Sequence, residues 1–276
     1  MERNLLGYDS SRLETFQTCP RLYYYLYELG LKEPKGTSAR FSEWMVHLPL
    51  TEWYAHAGNH TPEWETLWRC FAITPEEQAI KANAKYSITT AKLVFDFYTT
   101  RFAGDFERFE VLDTEQYIVD HILQFGSKPD VRLRERTTGL AWTLELKFSA
   151  WDFVTTGACM NPQFLGQVNN TGGHGIIVAQ IMPTDTKWET LQAYRHEIVP
   201  RPADMAEWRA DTIARIAQVK ASEASGVWHK HVPMACTRFN QECFFLRLCE
   251  AGAPKGMIDR METHNPLAYL EKRSVK

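Results

Sequence analysis

GSKPDVRLRERTTGLAWTLELKFSA, residues 126–150, is the stretch on which the fold turns. Asp130 is followed fifteen residues later by the triplet Glu145-Leu146-Lys147, set inside an apolar run. The segments PDVRLRER and LAWTLELKF flank Arg136-Thr-Thr-Gly139, a pattern that predicts a hairpin. Residues two apart on a strand project to one face, so Glu145 and Lys147 point together while Leu144 and Leu146 point to a core. Two carboxylates beside a lysine can hold Mg²⁺ or Mn²⁺ through hard oxygen ligands. The lysine can then orient or help deprotonate a water that attacks a phosphodiester. Glu33-Pro-Lys35 and Asp185-Thr-Lys187 carry the same triplet pattern, but neither follows an aspartate on a neighbouring strand. A same-face pair on a solvated edge strand is the competing reading. It must explain two charges at the centre of an apolar strand, where burial is costly unless the charges are paired or metal-bound.

Outward from the hairpin, residues 109–126 read as one strand or a bent pair, and 175–183 and 190–199 as two more. A helix around 161–171 opens at Asn161-Pro162 and puts Gln163 in its first turn. N-terminal to the strands, a helix is predicted over 9–29, opened by Asp9 or Ser10 and interrupted at Pro20. Another spans about 38–57, with Phe41, Trp44, Trp53 and Tyr54 around His47, and a third about 75–103, with Glu76 and Glu77 after Pro75. A long helix covers about 203–224, followed by a short, irregular tail that carries cysteines. The order gives α/β with a mixed central sheet flanked by helices. The chain reads as one domain, 1–276, in three parts: helical 1–105, a sheet core 106–200, and a C-terminal helix and cysteine-rich segment 201–276.

The 276 residues can bury a substantial core, and 44% apolar content excludes a disordered chain. No apolar run reaches the ~20 residues of a membrane-spanning helix. The N-terminal MERNLLGYDSS lacks the apolar centre of a secretory signal, so a cytoplasmic protein is expected. A net charge of −3 argues against a protein that coats DNA, yet leaves room for carboxylates and a local basic groove. Neither a P-loop nor a Gly-x-Gly-x-x-Gly fingerprint is present.

Cys236, Cys243 and Cys249 lie within fourteen residues, and Cys19-Pro20 offers a fourth thiol. Such thiolates bind iron–sulfur clusters or Zn²⁺, and the alternative is that they are small buried hydrophobes. His229 and His231 keep a Cys₃His zinc site open; Cys70 and Cys159 have no such company.

Taken in order, these residues resemble the iron–sulfur branch of the PD-(D/E)XK nuclease superfamily, whose members include RecB- and AddB-type nuclease domains, CRISPR-associated adaptation nucleases and small phage exonucleases. The resemblance runs over about residues 8–250 and begins with SRLETFQTCP, residues 11–20. It implies a restriction-endonuclease-like core, with N-terminal helices and a C-terminal tail joined by a [4Fe–4S] cluster on Cys19, Cys236, Cys243 and Cys249. It also implies metal ligation by His47, Asp130 and Glu145, and a catalytic set of Asp130, Glu145, Lys147 and Gln163. Relatives usually carry Gln-x-x-x-Tyr, whereas position 167 here is Gln167. The expected function is a Mg²⁺- or Mn²⁺-dependent DNA exonuclease. Its substrate would be single-stranded DNA or DNA ends, its setting phage or prokaryotic recombination, repair or CRISPR adaptation, with a recombination or helicase partner and no membrane. Two readings compete: a catalytically inactive DNA-binding or assembly subunit, and a zinc-stabilised α/β hydrolase acting on something other than nucleic acid. Oligomeric state stays open. Glu115 could approach the site from a neighbouring strand, but it reads as a surface carboxylate. Lys128, Arg132, Arg134 and Arg136 read either as phosphate contacts or as a solvated strand face, and Tyr23, Tyr24, Tyr25 and Tyr27 as base-stacking or packing residues.

Overall fold

In the computed structural model the described residues are 7–33, 36–72, 86–149, 160–184, 188, 190–231, 236–238, 241–261 and 263. Two compact units emerge. One comprises Lys35–Asp120 and Ser127–Ala206; the other comprises Met1–Pro34, His121–Gly126 and Glu207–Lys276.

The first unit is built on a five-stranded sheet. Its strands are β1 (Phe109–Thr114), β4 (Val131–Glu135), β5 (Ala141–Phe148), β6 (Gly175–Pro183) and β7 (Leu191–Ile198), in the order β1-β4-β5-β6-β7; the short strands β2 (Ile118–Asp120) and β3 (Phe125–Ser127) stand outside it. The predicted hairpin is present: β4 and β5 run antiparallel, with Val131 opposite Leu144 and Leu133 opposite Trp142. β5 and β6 run parallel, and the helix Pro162–Thr171 falls between them in sequence, as a parallel pair requires of its crossover. β5 is therefore the central strand. Trp142, Leu144 and Leu146 enter one core with Phe41, Met45, Leu50, Trp53, Phe71, Val94 and Tyr98 of the helices, so the apolar face of β5 is dry. On β6, Ile177 and Ala179 join that core, while Ile176 and Val178 pack on Phe164 and Val168 of the crossover helix. Two-residue periodicity thus sends Glu145 and Lys147 to the side covered by that helix.

The predicted 38–57 helix is Thr37–Phe41, a π-helical turn Ser42–His47, then Leu48–Ala55. The wider turn ends on His47; such insertions recur at functional sites. The third predicted helix is seen as Ile88–Arg101, capped by Ser87, while Pro75, Glu76 and Glu77 lie outside the described residues. An additional helix, Trp64–Phe71, was not predicted, although its apolar residues at 64, 67, 68 and 71 carry the helical period. Arg195 on β7 braces the helices. Its guanidinium reaches both Asp105 oxygens at 2.5 and 2.6 Å, the Tyr54 and Tyr98 hydroxyls at 2.7 and 2.8 Å, and lies 3.6 Å from the Phe102 ring centre.

The basic alternation has a structural explanation. Arg132 pairs with Asp113 and Arg134 with Glu110 across β1 and β4, and Lys128 pairs with Glu115. Lys128, Arg132 and Arg134 thus stand on a partly solvated, ion-paired face.

In the second unit, Asp9 caps the helix Ser10–Thr18 by accepting the Arg12 N–H at 2.8 Å. Pro20 forces Cys19 into extended backbone, and a new helix then runs Pro20–Tyr23 into a π turn, Tyr24–Glu28. Tyr23 and Tyr25 are buried, stacking or tilting on Trp228 and Phe245, so these two are packing residues. The long helix, Pro202–Ser225, belongs to this unit from Glu207 onward, and the tail contributes Leu246–Glu250, whose Leu248 packs with Tyr25, Leu31 and Phe245.

Candidate active site

Asp130 stands immediately before β4, and its Oδ2 accepts the Leu146 backbone N–H of the adjoining β5 at 2.7 Å. That bond ties the aspartate to the centre of the Glu145-Leu146-Lys147 triplet. Both carboxylates are buried, Asp130 at 7% exposure and Glu145 at 3%. Glu145 Oε1 accepts from Lys147 Nζ at 2.5 Å and from Gln163 Nε2 at 2.6 Å. Its Oε2 accepts from Gln167 Nε2 at 2.7 Å. Lys147 Nζ also lies 3.4 Å from Gln163 Oε1, so lysine, glutamate and glutamine form a closed triangle. His47 completes the group, with Nδ1 3.6 Å from Asp130 Oδ2.

The helix Pro162–Thr171 positions its two glutamines by ordinary helix chemistry. Asn161 accepts the Gln163 and Phe164 N–H groups at 2.9 and 3.4 Å, and Pro162 fits the first turn. Gly172, at φ +60°, ends it in the left-handed conformation. Gln163 and Gln167 sit one turn apart and therefore face the strand together.

Burial dominates the electrostatics. It pushes the Asp130 carboxyl well above the usual carboxylate range; the neighbouring Glu145 charge adds to this, and the Leu146 N–H opposes it. Burial lowers His47 to about 4, against the pull of Glu145, so its imidazole is neutral near pH 7. Two buried acids, a neutral imidazole and one lysine therefore share a small volume, an arrangement that favours any cation able to replace the lost solvation.

Every sequence-predicted residue of this group, His47, Asp130, Glu145, Lys147 and Gln163, is brought together. Gln167 was missed, and Glu115 was weighed for the site but read as a surface residue. Gln167 binds the second Glu145 oxygen, and the helical i,i+4 spacing from Gln163 was its signal. Glu115 is partly buried rather than a surface carboxylate. Its N–H bonds the Asp130 carbonyl at 3.0 Å, and its charge raises Asp130 further. Its left-handed φ of +57° has no sequence signature here. A cavity of about 350 Å³ lies beside β1, lined by residues that include Tyr54, Phe106, Phe109, Glu110 and Arg136, and none of the site residues lines it.

Cys19, Cys236, Cys243 and Cys249 belong to the second unit. The Cys243 N–H donates to the Cys236 carbonyl at 2.8 Å. Burial raises both thiols, and Cys19 and Cys249 raise Cys236 further, as Glu33, Cys236 and Cys19 raise Cys243. Cys19 and Cys249 thus act electrostatically on Cys236, and Cys19 and Cys236 on Cys243. His229 and His231 are exposed, and His231 Nδ1 lies 3.1 Å from the Thr18 carbonyl. Cys159 lies outside the described residues. Among the described residues, no three His, Cys, Asp or Glu side chains are arranged in a geometry that would hold an ion. The chemistry of both donor sets, carboxylate with imidazole and four thiols, nevertheless suits the groups the resemblance implies.

The model of the PD-(D/E)XK nuclease superfamily matches residues 10–149, which include His47, Asp130, Glu145 and Lys147. No curated protein matches the chain. Among solved structures, a protein from Eubacterium rectale assigned as an exonuclease is 10% identical over 100% of this chain and 96% of its own, with a TM-score of 0.56. That likeness shows the fold. An alkaline exonuclease from Laribacter hongkongensis is 14% identical over 67% of this chain and 95% of its own, at a TM-score of 0.32 that carries no further argument.

Proposed function

We propose that this chain, which belongs to the PD-(D/E)XK nuclease superfamily, is a metal-dependent deoxyribonuclease acting as an exonuclease on single-stranded DNA or DNA ends. The observation that supports it is the closed contact of Glu145, Lys147 and Gln163 beside buried Asp130 and His47. Nucleases of this superfamily typically use divalent metals. Asp130, Glu145 and His47, with a backbone carbonyl next to Glu145, would hold Mg²⁺ or Mn²⁺. Such an ion supplies charge stabilisation of the phosphate and acidifies the attacking water. Lys147 orients that water and offsets negative charge as the phosphodiester is attacked. Gln163 braces both Lys147 and Glu145, which keeps the ammonium aimed at one place. His47, neutral near pH 7, adds a nitrogen donor without adding repulsion.

Cys19, Cys236, Cys243 and Cys249 would hold a [4Fe–4S] cluster, whose iron–thiolate bonds would cross-link the two ends of the chain. Its role in this reading is structural. The setting is recombination, repair or CRISPR adaptation in the cytoplasm of a prokaryotic or phage-infected cell. No helix among the described residues is long and apolar enough to cross a membrane.

The test is hydrolysis of end-labelled linear DNA with Mg²⁺ or Mn²⁺, beside an EDTA control and Glu145→Gln. Wild type is expected to degrade the DNA only with metal, and the variant to lose on the order of 10²–10³-fold. Folded wild type that binds DNA but never cleaves it would favour the binding-subunit reading instead.

A further inference from the structure

The hydrogen bonds of Glu145 are not shared evenly between its two oxygens. A carboxylate oxygen offers two lone-pair directions. Oε1 uses both, toward Lys147 Nζ at 2.5 Å and Gln163 Nε2 at 2.6 Å, whereas Oε2 accepts a single bond, from Gln167 Nε2 at 2.7 Å. We propose that Gln167 is a positioning residue that fixes the Glu145 carboxylate so that Oε2, and not Oε1, is offered to the divalent cation of the site. This inference rests on the metal-dependent reading above and extends it to a residue and an atom.

Three features carry the argument. First, Gln163 and Gln167 are one helical turn apart, so their amides approach the carboxylate from one side, one to each oxygen. Bonds to both oxygens stop the group from rotating, and rotation would exchange a saturated oxygen for one that can still accept. Second, the amide orientation of Gln167 is not arbitrary, since turning it over would set its carbonyl against the Glu145 carboxylate. Third, Gln167 is 1% exposed, yet its Oε1 has no hydrogen-bond partner. A buried unpaired carbonyl is unfavourable, and a methionine or leucine would fill the space without it. The one polar contact that distinguishes glutamine here is the bond to Glu145. Groups that hold a metal ligand in orientation act through affinity for the ion rather than by touching substrate.

Two substitutions isolate the bond. Gln167→Met keeps most of the volume and removes the donor; Gln167→Asn keeps the amide but is one methylene too short. Both would be compared with wild type and Glu145→Gln after circular dichroism confirms folding. Mn²⁺ binding would be measured by calorimetry without DNA, and hydrolysis of end-labelled linear DNA followed across Mg²⁺ concentration. Both Gln167 variants are expected to weaken Mn²⁺ binding and to raise the half-activating Mg²⁺ concentration by about 10–100-fold. Wild-type Mn²⁺ affinity and Mg²⁺ dependence in either folded variant would overturn the inference and leave the proposed function standing. Wild type that neither binds Mn²⁺ nor cleaves DNA would overturn both. Should Gln167→Met fail to fold, Gln167→Asn decides.

Discussion

The acid site of the sheet unit and the cysteine group of the other unit reach order by different routes. In the first, the protein itself supplies the partners: three side-chain donors hold Glu145, and a backbone N–H holds Asp130. In the second, the described bonds join backbone groups, the Cys243 N–H to the Cys236 carbonyl and the Cys19 N–H to the Thr15 carbonyl among them, while neighbouring thiols raise the proton affinity of the half-buried Cys236 and Cys243. The difference teaches where a bound group should matter. A site already braced by hydrogen bonds should keep its fold when a ligand residue is lost, whereas a cysteine group should lose structure along with its metal.

The largest effect is expected from Asp130→Asn, which should lower DNA hydrolysis by on the order of 10³-fold while the melting temperature stays close to wild type. A large fall in melting temperature would show that the site is less independently braced than the hydrogen bonds imply. Next comes the half-buried Arg195, whose loss strands Asp105 among Tyr54 and Tyr98. Arg195→Met should destabilise the sheet unit by about 3 kcal/mol, measured by urea denaturation. Its effect on activity should follow from unfolding alone.

Cys236→Ser and Cys243→Ser address the other half of the comparison. Each should abolish bound iron and labile sulfide and lower the melting temperature by roughly 5–10 °C, equivalent to about 2–3 kcal/mol. Cys70→Ser should change neither. Stoichiometric zinc in wild type, without iron, would replace the cluster reading with a zinc site. The smallest effect belongs to the exposed Arg134–Glu110 pair. Arg134→Ala should alter stability by no more than ~0.5 kcal/mol and leave DNA affinity nearly unchanged. A large drop in affinity would favour this row as a phosphate-contacting face.

The same contrast explains what was legible in the sequence. The β4–β5 hairpin was, because alternation and the Arg136–Gly139 turn are local signals, and Glu145 and Lys147 follow from a period of two. Asp130 and Gln163 fell into place by order along the chain. Gln167 was passed over because its identity departs from the expected tyrosine, although the helical period already aimed it at Glu145. Glu115 was misjudged because a left-handed residue after β1 turns its backbone onto Asp130, and no neighbouring glycine announces that turn. The approach of Cys19 to the tail thiols depends on packing between segments more than two hundred residues apart, which spacing cannot encode.

The most direct test of the account is nuclease assay of wild type beside Lys147→Ala, both purified without oxygen, on end-labelled linear and on circular single-stranded DNA with Mg²⁺ or Mn²⁺. The account expects wild type to degrade linear DNA, to spare circles, and to lose the activity in the variant. Undiminished cleavage by folded Lys147→Ala, or no metal-dependent cleavage by folded wild type, would contradict it.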